Sequence, residues 1–249
     1  MGLFDDSNIL VFLFSFIPAI IYSLLIFVKT PPGSVNIKDS FKYIFIGFLS
    51  CVFVLGFHLL FPNWSSLLFT ERLYLGNAYV MMPTIFTFFF QSFIQIALIE
   101  ELSKLLAFKI ADKKNANPVE SMFHFMMIGT GFAIVENVLY AFKYGGEVLI
   151  NRNYTALIMH MTLGIIFGFF ISIGRCKLAE NSFFKSEKYK RIFYAFFGLV
   201  TVSIMHGIYD LNLFLNSDTQ EFYTFIILII SLFVSYKMGK KLINIYNNG

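Results

Sequence analysis

Charge is scarce in this sequence. Asp, Glu, Lys and Arg make up 14% of its 249 residues, where a soluble domain carries about a quarter. That is too little to coat a water-facing surface, and no segment reads as a soluble domain or a flexible tail. Cysteine is nearly absent. Cys51 falls in an apolar run and Cys176 in a basic loop, on opposite sides of the topology derived below, which excludes a disulfide between them. The first residues carry Asp5 and Asp6 in place of a basic leader. The apolar run behind them is too long for a cleaved signal, so it reads as a first span. No internal repeat and no low-complexity stretch is found. The net charge of +4 follows the loops, so it is not a nucleic-acid footprint.

Apolar and aromatic residues are abundant instead. Aromatics reach 19%, led by 34 Phe, and mean hydropathy is +0.72. About 20 mostly apolar residues span a hydrocarbon core of roughly 30 Å as a helix. Runs of that kind predict helices near 9–28, 41–61, 79–110, 121–142, 154–174, 192–214 and 220–238. The third is longer than a span needs, contains Pro83, and begins as an interfacial stretch around Met81 and Met82. The fold class expected is all-α, a polytopic membrane bundle of about seven transmembrane helices. Residues 1–249 form one transmembrane domain, with a motif-bearing core at about 80–215. Fifteen of the 19 basic residues lie in the odd-numbered loops and the C-terminal tail; the others are Arg72, Lys143 and Arg152 outside and Lys104 within the third span. Arg175, Lys177, Lys185, Lys188, Lys190 and Arg191 crowd the fifth loop alone. This asymmetry puts the N-terminus outside and the C-terminus in the cytoplasm.

Against that background the ionisable residues inside spans stand out, because each costs several kcal/mol unless paired or facing a polar cavity. The third span carries Glu100, Glu101, Ser103 and Lys104. Glu100 and Lys104 are four apart and can pair on one helix face, whereas Glu101 points about 100° away and is neutralised less easily by the same lysine. A solvated charge run at a helix end is the plain alternative, but apolar Leu105, Leu106, Ala107 and Phe108 continue beyond it. The fourth span carries Glu136 with no basic residue beside it. Such a carboxylate is protonated, paired with another helix, or a metal ligand. Gly129 and Gly131 permit close helix approach there, and Gly164 and Gly168 form a small-residue packing pair in the fifth span. The fifth span also holds His160. The sixth holds His206 and Asp210, one turn apart on one face, where the carboxylate can fix the imidazole tautomer. His58, near the outer end of the second span with no acidic neighbour there, and His124, near the cytoplasmic start of the fourth span and about 120° around that helix from Glu136, are read as outside the site.

Four successive spans thus contribute acid or imidazole, a repertoire suited to hydrolysis by activated water. Glu136, His160 and His206 can form a two-His, one-carboxylate zinc site with an open position for water. The HExxH signature of many metalloproteases is absent, as is a GxSxG nucleophile. Ser103 and Ser203 have no serine-hydrolase context. Glu100 comes level with Glu136 and His206 only if the third helix starts well after Pro83; otherwise the acids sit nearer the cytoplasm.

Taken together, Glu100-Glu101-x-x-Lys104, Phe132-x-x-x-Glu136-Asn137, the Arg152…His160 segment and His206-x-x-x-Asp210 resemble the motifs of PrsW-type intramembrane proteases. These are a bacterial family within the superfamily of CAAX prenyl endopeptidases and Abi relatives. The resemblance spans about 80–215. It implies proteolysis in the bacterial cytoplasmic membrane, with membrane-anchored protein substrates such as anti-sigma-factor-like regulators. By the same resemblance Glu100 activates water, Glu101 and Lys104 tune it, Asn137 belongs to the second motif, and His206 with Asp210 binds the scissile carbonyl. Glu136 stands where the CAAX branch has His, so prenyl-protein cleavage is not implied. Both metal-dependent and glutamate-only mechanisms are described in the superfamily, which leaves Zn2+ open. Two other readings stay open as well. A cation or proton transporter would use the same acids as a relay, although the duplicated halves usual in transporters are missing. A ceramidase-type zinc amidase would need a third well-placed His.

Overall fold

The structure is a computed structural model, and it describes residues 6–61, 70–75, 78–83, 85–111, 117–176, 183, 185–215 and 219–248. Asp5 and Lys177 lie outside them. The elements run α1 (Asp6–Phe27), α2 (Ile37–Leu60), β1 (Thr70–Leu75), β2 (Ala78–Pro83), α3 (Ile85–Phe90), a π-helical segment (Gln91–Leu98), α4 (Ile99–Ala111), α5 (Pro118–Tyr144), α6 (Val148–Tyr154), α7 (Ala156–Arg175), α8 (Glu187–Leu215) and α9 (Gln220–Asn248).

Among the described residues, six helices are long and apolar enough to cross a membrane: Ile9–Phe27, Ile37–Leu60, Pro118–Tyr144, Val148–Arg175, Glu187–Leu215 and Gln220–Asn247. They match six of the seven expected spans, with α6 and α7 following one another through Thr155 within the fourth. The expected span over 79–110 has a different form. Its first residues belong to β2, which pairs antiparallel with β1 from Thr70↔Pro83 to Leu75↔Ala78. Pro83 lacks an N–H and biases its predecessor toward extended backbone, so helix begins only at Ile85. From there the chain is helical through Ala111, but its middle is the π segment. Ser92 Oγ donates to the Phe88 carbonyl (2.8 Å) at the start of that segment. Helix thus begins two residues after Pro83 and not well after it, yet Glu100 still comes within 3.9 Å of His206.

At the centre stands α5. Asn117 caps it, accepting from the Glu120 N–H (2.8 Å), and Pro118 occupies the first turn where no N–H is needed. Every residue from Ser121 to Ile134 is buried. It packs between α2 and α7 at van der Waals closeness because the crossing points are glycine. A Cβ on Gly129 would collide with the His160 carbonyl, and one on Gly131 with the Ile44 carbonyl. Gly164 and Gly168 meet the Met126 and Met122 backbones, each 2.7 Å from where a Cβ would stand. The pair thus packs helices, as expected, and the Gly129 crossing holds the His160 backbone against α5. On the outer flanks, α1 and α9 present large apolar side chains outward, such as Leu25 and Phe233. A bilayer accommodates such faces. Cys51 and Cys176 are free thiols.

Candidate active site

Four elements bring their ionisable side chains to one buried point. From α4 come Glu100, Glu101 and Lys104, all buried. Lys104 Nζ lies 2.7 Å from Glu101 Oε1, 3.9 Å from Glu100 Oε2 and 3.0 Å from His160 Nδ1. The Phe132 ring, 4.2 Å from the ammonium, covers it. The close partner of Lys104 is therefore Glu101, against the expectation that Glu100 would take it. Positions three apart share a helix face as well as positions four apart do, and the Glu100 carboxylate stands 3.9 Å from both Lys104 Nζ and His206 Nε2 of α8.

Hydrogen-bond chemistry orders the two imidazoles. An ammonium only donates, so His160 Nδ1 accepts from Lys104. The ring's proton then sits on Nε2, which donates to Glu136 Oε2 at 2.9 Å. His206 Nδ1 lies 2.9 Å from Glu101 Oε1 and donates to that carboxylate. In the neutral ring this leaves the Nε2 lone pair facing Glu100 Oε2 at 3.9 Å and Asp210 Oδ2 at 3.6 Å. The two rings meet edge to face, their centroids 5.1 Å apart.

Glu136 has a further partner that the sequence reading put in an outer loop. Arg152 is buried in α6, with Nη2 2.8 Å from Glu136 Oε2 and Nε donating to Asn137 Oδ1 at 2.8 Å. Its guanidinium stacks 3.8 Å from the Tyr140 ring. Asn137 Nδ2 donates to Asn153 Oδ1 (3.2 Å), and Asn153 Nδ2 donates to the Phe14 carbonyl of α1 (2.9 Å). Of the three fates open to Glu136, pairing with another helix is the one observed for its carboxylate. Asn153 is the residue the sequence does not single out, and Arg152, which opens one of the quoted motifs, reads there only as an outer-loop cation; the signal for its pairing is Glu136, a half-buried carboxylate needing a cation.

Of the histidines read as outside, His124 stacks on Tyr43 (3.9 Å between centroids) and lies 3.7 Å from Glu120. His58 is half-buried at the end of α2 beside Phe57. Neither partner belongs to the cluster.

Four carboxyl groups, Glu100, Glu101, Glu136 and Asp210, face two fixed cations, Lys104 and Arg152. That imbalance favours a bound cation or proton. Glu100, His160 and His206 each offer a ligand atom, all within 4.8 Å of one another. Glu100 Oε2 is buried with no hydrogen-bond partner among the described residues, and Asp210 Oδ2 likewise. Tetrahedral zinc with bonds of about 2.0–2.1 Å sets its ligand atoms roughly 3.3–3.4 Å apart, and Glu100 Oε2 and His206 Nε2 stand 3.9 Å apart. One carboxylate and two imidazoles suit Zn2+. Glu136, expected in this set, is instead tied to Arg152 and His160.

Residues 41–236 match the family model described as PrsW family intramembrane metalloprotease. The chain belongs to the PrsW family. A Protease PrsW of Geobacillus kaustophilus (strain HTA426) is 25% identical over 177 residues, 70% of each chain. That of Oceanobacillus iheyensis is 26% identical over 164 residues, 60% of this chain and 70% of the relative. That of Bacillus subtilis (strain 168) is 28% identical over 125 residues, 49% and 53% of the two chains. No solved structure matches the chain. As a PrsW protein with multiple apolar helices, it is a multi-pass membrane protease of a bacterial family.

Proposed function

We propose that this PrsW protein cleaves a peptide bond of a membrane-anchored protein substrate within the bilayer, with water activated at Glu100, His160 and His206. The observation that carries the reading is the buried Glu100 carboxylate oxygen, unbonded and facing two imidazoles whose ligand atoms lie within 4.8 Å. A divalent ion, Zn2+ by the donor set, would be held by Glu100, His160 and His206, lowering the pKa of water and polarising the scissile carbonyl. To join this set, His160 would exchange its contact with Lys104 or with Glu136. A carboxylate has two oxygens, so Glu100 would help to hold the ion and still take the proton of the attacking water. As the water oxygen bonds to the carbonyl carbon and the C–N bond breaks, Glu100 passes that proton to the leaving amine. The products are one new carboxylate and one new amine.

The other residues hold this arrangement. Glu101 fixes His206 through Nδ1, and Lys104 keeps Glu101 charged and in place. Asp210 aligns the His206 ring from one turn away. Arg152 and Asn137 position Glu136, which in turn orients His160. This assignment makes Asn137 a positioning residue and Glu136 a partner of a ligand. The same reading takes 85–111 as a seventh crossing in a single transmembrane domain, N-terminus outside and C-terminus cytoplasmic, supported by the Lys and Arg asymmetry between loops.

The test uses the purified full-length protein in vesicles with a single-span protein substrate. Treatment with a strong chelator is expected to stop the appearance of product peptides, and added Zn2+ to restore it. Undiminished cleavage after exhaustive chelation would remove the metal from the account.

A further inference from the structure

A second cavity lies away from the cluster, between α1, α5, α7 and α9. Its volume is about 730 Å3, within the range of about 300–1,000 Å3 typical of small-molecule sites. Its inner wall is apolar, formed by Met122 and Met126 of α5, Ile165 of α7 and Leu232 of α9. The polar atoms at this depth are satisfied within the protein. Thr162 Oγ1 donates to the Met159 carbonyl and lies 3.1 Å from Ser231 Oγ, and Ser235 Oγ donates to the Leu232 carbonyl. The interior therefore asks for hydrocarbon.

The mouth is different. Lys29, just beyond the end of α1, and Lys240 of α9 both line it, joined by Thr30 and Asn244. Both lysines are exposed, and neither has an ion-pair partner among the described residues. No carboxylate of the described residues lines the cavity. Lys240 lies about 30 Å along α9 from Gln220 at 1.5 Å per residue, one hydrocarbon thickness away. The two charges thus sit together at one membrane interface, above an apolar trough between spans. A molecule that fills the trough from the bilayer and neutralises its mouth has an acyl chain and an anionic headgroup.

The geometry points to a binding site for one anionic phospholipid, with an acyl chain along α5, α7 and α9 and its phosphate on Lys29 and Lys240. Basic pockets between transmembrane helices take such headgroups. The site has a structural consequence. Met122 and Met126 lie at the α5–α7 crossing, beneath Gly168 and Gly164, and those two helices carry Glu136 and His160. A bound lipid braces that crossing through Met122 and Met126, which line the cavity.

The test is binding of labelled phosphatidylglycerol to the purified full-length protein in neutral detergent, with phosphatidylcholine as competitor. The double variant Lys29→Gln/Lys240→Gln is expected to bind roughly 30-fold more weakly, the loss of two lysines at an anionic headgroup. The pair Lys237→Gln/Lys241→Gln removes the same charge on the same helix from positions that do not line the cavity, and leaves binding unchanged. Gly239 has open space toward the cavity, since a Cβ there would stand 3.9 Å from its nearest neighbour, the Met122 methyl. Gly239→Leu fills the trough without touching a charge, and also weakens binding. Wild-type binding by the first double variant overturns the site, as does equal loss in the Lys237/Lys241 pair. Equally effective competition by phosphatidylcholine does so too.

Discussion

Glu100→Gln lowers peptide-bond turnover by about a thousandfold or more, the scale of a lost proton-transferring group, while the protein still folds and inserts. Gln keeps the shape of the side chain. The oxygen it alters, Oε2, has no hydrogen bond to lose, and its nearest charged partners, Lys104 Nζ and His206 Nε2, are both 3.9 Å away. Removing one of four clustered carboxylates also relieves like-charge repulsion, so with both proteins chelated the variant's unfolding temperature holds or rises, and the stabilisation that added Zn2+ gives the wild type is lost in the variant. Glu101→Gln behaves differently, because Glu101 Oε1 receives Lys104 at 2.7 Å and His206 at 2.9 Å. That change lowers stability and activity together. Product formation measured by mass spectrometry, beside thermal unfolding in detergent, separates the two adjacent acids. Normal turnover by pure Glu100→Gln protein would end its role.

Arg152→Ala produces the largest loss of stability, about 3 kcal/mol, because it strands the half-buried Glu136 carboxylate without its cation. It also removes the donor to Asn137 and the stack on Tyr140. Adding Glu136→Gln recovers most of that stability, since no uncompensated charge remains. It does not recover cleavage, because the carboxylate that holds His160 Nε2 is then gone. Thermal unfolding of the two single variants and the double variant forms the cycle. Additive losses would mean that Arg152 and Glu136 act independently.

Much of this site is legible in the sequence, for a reason specific to membranes. Hydrocarbon makes every charge conspicuous, so Glu100, Glu101, Lys104, Glu136, His160, His206 and Asp210 announce themselves by interrupting apolar runs. Helix existence is equally plain from run length. Partner choice is not. Spacing allows Lys104 to pair with either glutamate, and only the packed structure decides for Glu101, whose Oε1 meets Lys104 at 2.7 Å and His206 of α8 at 2.9 Å. Arg152 resembles a loop cation because it is near a span end. Its burial depends on Glu136 and Asn137, fifteen or so positions away on another helix. The π segment at Gln91–Leu98 also leaves no readable signal. π-turns occur as local bulges, often at functional sites, and this one rests against α8, where the Phe93 ring occupies the space beside Gly207. The strand at Ala78–Pro83 reads as helix because Tyr79, Val80 and Met81 are as apolar as a span, although the first two favour extended backbone.

The most direct measurement of the central claim is the zinc content of purified protein, wild type beside Glu100→Gln, His206→Ala and Glu136→Gln. The account predicts near-stoichiometric zinc in the wild type, its loss from Glu100→Gln and His206→Ala, and its retention with weaker affinity in Glu136→Gln, where only a partner of His160 is altered. Zinc lost from Glu136→Gln but kept in Glu100→Gln would contradict it, returning Glu136 to the metal and leaving Glu100 to act on water alone.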